Sequence, residues 1–464
     1  MFSLGDWIAI RILVFVGRAF VWCFKAVLGG LMALLGLFIP GIGSVNRRNS
    51  CVVTMRRPVP VSQLLQGGTP GGKTIVSGDA EGGSLISPWR NTILAAAAAR
   101  ASQAGMGGVI LHRGDRDLEA RLQQRLGGGK TIFVTNGDST DPKIYDPLAA
   151  CARLDECVDI LMEYQDDGSA AFNSAKDYLR GLLLYCNLVL KKRPTVALLN
   201  QAAGMRYTRL LDDLNDALAG NVITQAQYDS INDRLEENMT DGRNALRQRL
   251  NTLVSQLNGL LVGDNPPPPS ARVCIRKAVQ NGQFLVVDLT GITNPKLCLG
   301  LLANELRMAL RSGNIAAWAG FSDLPISDSE DLFRLLRAGL PGLGLCVSGY
   351  DLFAACGSSA DKLNTLISGS ECRVVFKHTG ASATAWQNTF GKYKKKVVTE
   401  TQSLGRTRGP FQLFATKSRT EGSQAVEQDE PKVLERDITQ LNPGCVYAAR
   451  QDTQKIMHCA LADG

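Results

Sequence analysis

Two rhythms of apolar residues alternate along most of the chain. Short runs such as "TIVSG" (74–78), "GGVILH" (107–112) and "TIFVT" (131–135) have the length and bounding glycines of buried strands. Between them lie stretches with helical signals. In "SPWRNTILAAAAARASQAG", Ser87 is a cap, Pro88 sits in the first turn and Gly105 is a stop. "DRDLEARLQQRLGG" reads as a second helix. The resulting strand–helix alternation predicts a parallel sheet with helices on its faces, an α/β fold. Alanines 95–99 let the first helix sit close to that sheet.

From about residue 146 the pattern turns entirely helical and stays so until "GDNPPPPSA", whose prolines form a stiff boundary. Strands and helices then resume with "QFLVVDLTG", "PKLCLGLLANELRMALRSG", "IAAWAGFSDLP", "SEDLFRLLRAG", "LGLCVSG" and "CRVVFKH". An all-α insertion into an α/β core accounts for this order. The expected organisation is a membrane anchor over 1–46, α/β over 47–145, inserted helices over 146–265, α/β again over 266–415, and a polar, irregular carboxyl segment over 416–464.

Composition changes the picture mainly at the amino end. Net charge is +8, yet residues 1–60 hold seven cations against Asp6 alone, leaving +2 for the rest of the chain. No charge occurs from Ala26 to Asn46, a run near the length that crosses a bilayer core. Before it, Arg11, Arg18 and Lys25 recur every seven residues and fall on one helical stripe. The arginine pairs after the run place the remainder on the cytoplasmic side. The twelve cysteines are scattered without a CxxC pair and the three histidines lie far apart, which argues against a structural metal site and for a reducing compartment.

Two glycine-rich loops flank the first strand. "GGTPGGKT" (67–74) has the letters of a phosphate-binding loop, with Lys73 and Thr74 in the key places. It follows a polar connector, however, and leads into a strand rather than a helix, so its context favours a plain turn. "GDAEGGS" (78–84) has the opposite character. It follows the strand and precedes a helix, which is where phosphate meets backbone N–H groups and a helix end. Gly78, Gly82, Gly83 and Ser84 occupy the loop, but Ser84 and Leu85 stand where lysine and a hydroxyl residue belong. Asp79 and Glu81 add negative charge beside the place of a triphosphate. "LGGGKT" (126–131) is another helix-to-strand turn.

The order resembles that of the membrane-anchored ATPases that couple substrates to type IV secretion and conjugation machines, the TraD/TraG kind within the FtsK/HerA class. "KIYDPLAA" (143–150), "NSAKDYLRGLLLYCNLVLKKRPTVALLNQ" and "SECRVVFKHTGASATAWQNTFGK" carry local similarity, in order, within roughly residues 65–400. The resemblance implies a RecA-like P-loop domain binding ATP and Mg2+, an inserted all-α domain, a bacterial inner-membrane location and a ring. It also implies secretion-apparatus subunits, DNA, relaxosome or effector proteins as partners.

The same resemblance exposes departures. Asp323, after Ser322, is the one acid left of a Walker B pair, while Asp288 ends a strand that precedes the Walker B strand. Glycine and tyrosine replace the sensor glutamine at Gly349 and Tyr350. Arg334, Arg337 and Arg373 are candidate arginine fingers or plain surface cations. Lys392, Lys394, Lys395 and Lys396, with Tyr393 and the later Phe411 and Phe414, suit single-stranded nucleic acid, and as plain cations they suit a solvated loop or contact with an acidic protein. Three readings stay open: a catalytically silent coupling scaffold, a DNA-translocating ATPase with a divergent P-loop, and a membrane-anchored nucleic-acid-binding module outside secretion.

Overall fold

The computed structural model describes residues 51–462 apart from 67, 71, 83–86, 135–142, 166–167, 257–270, 291, 293–294, 312–315, 339, 408–415 and 454. The apolar amino-terminal segment, Gly83, Ser84, Phe411 and Phe414 lie outside the described residues. No helix among those described is long and apolar enough to cross a membrane.

The main sheet is built on seven parallel strands. These are β2 (Lys73–Ser77), β3 (Gly107–His112), β4 (Thr131–Val134), β7 (Phe284–Asp288), β8 (Ala317–Ser322), β9 (Leu343–Gly349) and β10 (Cys372–Val375). Their lateral order is β10-β2-β9-β8-β3-β7-β4. A short β1 (Val59–Pro60) and helix α1 (Val61–Leu65) precede them. Parallel strands are covered on both faces, which is why β2, β3, β7, β8 and β9 are buried at every position and read as apolar runs. Helix α2 (Pro88–Gln103) lies on one face with Ala95 to Ala98 buried in the core, and α3 (Arg116–Leu126) packs beside it. Trp318 of β8 meets Phe284 of β7 edge to face at 5.9 Å in the same core.

The carboxyl segment corrects the expectation of a polar, irregular end. After α16 (Glu435–Thr439), β13 (Cys445–Arg450) and β14 (Ile456–Ala462) join the main sheet. β13 pairs antiparallel with β10 and with β14, and β14 lies beside β1. Val446, Ala448, Cys459 and Leu461 are buried at a spacing of two, the period of a strand with one covered face, and Tyr447 between the first two is buried as well.

The helical excursion leaves and re-enters the sheet through a small clip, β5 (Ile144–Tyr145) paired with β6 (Arg272–Val273). Between them run α4 (Leu154–Met162), α5 (Ala170–Leu184), α6 (Val196–Gly204), α7 (Tyr207–Ala219), α8 (Gln225–Glu237) and α9 (Asp241–Gln256). α5 packs on α8 and α9, and Gly181 permits the approach, since a Cβ there would lie 2.9 Å from Leu235. α10 (Ile275–Gln280) and α11 (Pro295–Arg311) carry the chain back to the sheet. Buried Asn304 of α11 donates to the carbonyls of Asp159 and Ile160, and Arg276 pairs with Glu156 at 2.8 Å. These bonds tie α4 to the sheet domain.

Helices α12 (Glu330–Ala338), α13 (Leu352–Ala355), α14 (Ala360–Ile367) and α15 (Gly380–Thr389) complete the α/β part. Residues 392–432 belong to a second compact unit of the chain. Its visible element is a long antiparallel hairpin of β11 (Lys392–Thr407) and β12 (Thr416–Pro431).

Candidate functional site

The two glycine-rich loops lie at opposite ends of β2, about 13 Å apart for a five-residue strand. Lys73 opens the strand, at the edge of the sheet away from the carboxyl ends where phosphate-binding loops sit. Its buried Nζ donates to the carbonyls of Leu336 at 2.7 Å and Ser368 at 3.2 Å. These carbonyls belong to the last turn of α12 and the cap of α14, so the ammonium serves two helix ends. Burial lowers its pKa to about 8. Thr74 is an ordinary strand residue beside Cys346 and Cys372. The preceding loop holds an anion of its own: the Thr69 N–H and hydroxyl donate to the Glu371 carboxylate, and Arg100 donates to the carbonyls of Leu65 and Gly68. Thus Lys73 and Thr74 form no nucleotide cradle. They are structural.

The second loop has the right placement. Gly78 follows β2 with φ +120°, its N–H donates to the Gly349 carbonyl at 3.1 Å, and the next amide, Asp79, donates to Lys377. A Cβ at Gly78 would lie 2.9 Å from the Lys377 carbonyl oxygen, so glycine is required by both space and backbone. Gly82, at φ +86°, then turns the chain toward α2.

Several donors that a phosphate would use in the described part of this turn are already occupied. Asp79 Oδ1 accepts from the N–H groups of Glu81 at 3.1 Å and Gly82 at 2.8 Å. At the start of α2, Pro88 has no N–H, Trp89 donates to Glu81 Oε1 at 3.3 Å, and Arg90 donates to the Ser87 hydroxyl. The Asn91 amide completes the turn by donating to the Ser87 carbonyl. Asp79 and Glu81 therefore stand where phosphate oxygens would accept these bonds.

The Walker B position is taken as well. Asp323 follows β8, in the left-handed region at φ +51°, on the strand two places from β2. Both its oxygens accept from the Arg90 guanidinium, at 3.0 and 2.8 Å, and Oδ1 also accepts from the Tyr350 N–H at 2.5 Å. Arg90 is almost wholly buried in the first turn of α2, while the Asp323 side chain is one-third exposed, at 33%. A fixed guanidinium occupies the carboxylate that would otherwise face Mg2+. Arg90 belongs to no sequence motif; its signal is a cation in the first turn of a helix that continues with seven apolar residues, Ile93 to Ala99, because a cation buried there needs an acid within reach.

Beside the bridge, a cavity of about 410 Å3 opens at the carboxyl ends of β3, β8 and β9. Among the described residues its wall carries Asp115, Asp323 and Asp351 against the single cation Arg113, a poor balance for a triphosphate. His378, on the other side of the loop, stacks on Trp386 at 5.8 Å, and burial pushes its pKa down to about 4.

One further cluster could be taken for a metal centre. His112, Glu119 and Asp288 bring their ligating atoms within 4.8 Å of one another. The Nδ1 of His112 accepts the Asp115 N–H at 3.2 Å, however, which leaves the imidazole proton on Nε2, facing Glu119 Oε1 at 3.4 Å. That tautomer has no lone pair to offer at Nε2. Burial alone would raise the Asp288 carboxyl, but bonds from Thr290 and Gly114 bring it below the ordinary value.

The remaining candidate residues are dispersed. Arg334 pairs with Glu330 one helical turn away, Arg373 donates to the Thr389 carbonyl, and Arg337 is exposed near the end of α12 that Lys73 caps. Lys392 is exposed on β11, and Lys394 and Lys395 pair across the hairpin with Glu427 at 3.5 Å and Glu430 at 3.2 Å. Lys396 lies opposite Glu427 in the register.

No protein-family profile matches the chain, and no curated protein does. Solved structures do match. The bacterial conjugative coupling protein TrwB, in a trigonal form with sulphate, superposes with a TM-score of 0.53 over 90% of this chain and 92% of that one, at 13% identity. It is the P-loop fold of the conjugative coupling proteins. TrwB has also been solved with the non-hydrolysable ATP analogue ADPNP (TM-score 0.53) and with ADP and Mg2+ (TM-score 0.52), each at 13% identity over 90% of this chain and 92% of that one. At this identity the likeness establishes the coupling-protein-type fold, while the chemistry of the site rests on this chain's own residues.

Proposed function

We propose that the chain is a coupling-protein-like component of a conjugation or type IV secretion apparatus that recruits or passes DNA or protein substrate without an ATPase cycle of its own. Residues 1–46 hold it at the bacterial inner membrane, and it works as part of a ring with other secretion subunits. One observation carries the reading: the Glu81 and Gly82 amides of the P-loop turn are bonded to Asp79, those of Trp89 and Arg90 to Glu81 and Ser87, and the Walker B acid Asp323 is bonded to Arg90. The chain thereby supplies internal counterparts of phosphate and metal, and the motor fold keeps its loaded shape with no ligand. The charge pairs on the hairpin lysines support protein contact over a bare nucleic-acid groove.

The competing reading is a working motor with a divergent site, favoured by the nucleotide complexes of TrwB on the same fold. Thermal unfolding of the full chain with ATP and Mg2+ separates the two. A site filled at a hundredfold excess over its Kd adds about 2.7 kcal/mol of stability, and the scaffold shows no shift at millimolar ATP. Saturable hydrolysis that disappears in Asp323→Ala overturns the scaffold reading. Hydrolysis that disappears in Lys73→Ala would reinstate the first loop.

A further inference from the structure

The cavity of about 410 Å3 beside the bridge lies across the carboxyl ends of three adjacent strands, where α/β sheets take their ligands. Asp351 follows β9, Ser322 ends β8 and Asp115 follows β3. Asp323 is matched by Arg90, but Asp115 and Asp351 receive only neutral donors. Asp115 accepts twice from the Asn91 amide and once from the Leu118 N–H. Asp351 accepts from the N–H groups of Phe353 and Ala354 and from the Ser382 hydroxyl. A carboxylate has about four acceptor positions, so each acid keeps its charge and one place for a donor.

Every lysine and arginine of residues 54–391 is described, and none pairs with either acid. Arg113, the one cation of the described wall, is exposed. Ser322 is 2% exposed, lines the cavity, and its hydroxyl bonds to no described group. A buried hydroxyl of this kind calls for a partner. The acids do not gather as metal ligands do. Among the described residues it is His112, Glu119 and Asp288 whose ligating atoms come within 4.8 Å of one another. The strands that carry Asp351 and Asp115 are instead two places apart, about 10 Å at the interstrand spacing. Leu324, Pro325 and Leu352 make much of the remaining wall apolar.

We propose that this cavity binds a free aliphatic diamine, with one ammonium group on Asp115 and the other on Asp351. Four or five methylenes, with a charge-assisted bond of about 2.8 Å at each end, span that separation. The methylenes cover Leu324 and Leu352, and Ser322 accepts a further N–H. The inference rests on the reading that no nucleotide occupies this end, and it names what does.

Calorimetric titration of the full chain in detergent with a series of straight-chain diamines, from propane- to octanediamine, tests it. Saturable binding is expected, tightest at butane- or pentanediamine. Butylamine, with a single charge, is expected to bind roughly tenfold or more weakly than butanediamine, the worth of one charge-assisted bond. Asp115 and Asp351 are helix caps, and asparagine caps as well, so Asp115→Asn and Asp351→Asn remove charge and keep the cap. Each is expected to weaken the best diamine by a similar factor. Absence of binding, butylamine bound as tightly, no preference for length, or unchanged binding in both variants each overturns the proposal. ATP with Mg2+ is titrated separately. Its binding overturns the scaffold reading and this inference together, while failure of the diamines with no binding of ATP removes the inference alone.

Discussion

The two ends of strand β2 carry similar glycine-rich letters and opposite designs. At the amino end a loop that spells the phosphate motif closes on Glu371, and its lysine turns away to two helix carbonyls. At the carboxyl end a loop lacking the lysine has the geometry of a phosphate cradle and fills it with Asp79 and Glu81. Position in the strand–loop–helix frame, rather than the letters, decides where phosphate can meet backbone amides. Both loops bind a carboxylate, but only the second does so in the place of a ligand.

The largest expected effect comes from the bridge at the carboxyl end. Arg90→Ala removes a buried guanidinium from Asp323, and loss of one partner of such a pair costs about 3 kcal/mol, the low end because Asp323 is partly exposed. Urea unfolding of the Arg90→Ala, Asp323→Ala and double variants measures the coupling. Additive losses would show that the bridge is not the organising contact of this end.

Next, the two ends titrate in separate windows. The folded pKa of Lys73 lies near 8, below its ordinary 10.5, so the unfolded chain holds more protons between those values. Stability therefore rises with pH across that window, by up to about 1.4 kcal/mol per pH unit, and the slope vanishes in Lys73→Met. A lysine beside a triphosphate would shift the other way. His378, lowered from 6.5 toward about 4 by burial, gives the same sign in acid: stability falls as pH drops below 6.5. Denaturation series of His378→Phe across pH 4–7 should lack that fall.

The smallest effect belongs to the first loop. Glu371→Gln weakens an exposed charge-assisted bond to Thr69, and about 1 kcal/mol of stability is expected to be lost with no change toward ATP. A gain of nucleotide binding in this variant would mean that Glu371, like Asp79, blocks a ligand.

Much of the frame was legible in the sequence. "GGVILH" and "LGLCVSG" coincide with β3 and β9, and Ser87, Pro88 and Gly105 bound α2 much as their capping chemistry dictates. These signals are local, set by backbone preference and burial on both strand faces. β13 and β14 are hard to read because their short runs, "CVYAAR" and "IMHCALA", are embedded among polar residues such as "QDTQK" and "EQDEPKVLERD", which lower the apolar signal of the whole segment. The site was half legible. The missing lysine and the added acids could be read directly, but the partners of Asp79, Glu81 and Arg90 are fixed by turns and by a contact between residues 90 and 323, which spacing does not reveal.

The clip formed by β5 and β6 places the departure and return of the helical excursion on adjacent strands, two residues each. A detour whose ends lie on paired strands can be exchanged as a cassette: because the pair is parallel, a crossover of about a dozen residues from Tyr145 to Arg272 leaves the order of the main sheet unaltered. Those helices are thus free to diverge between lineages, or to be re-engineered, without renegotiating the sheet that bears them.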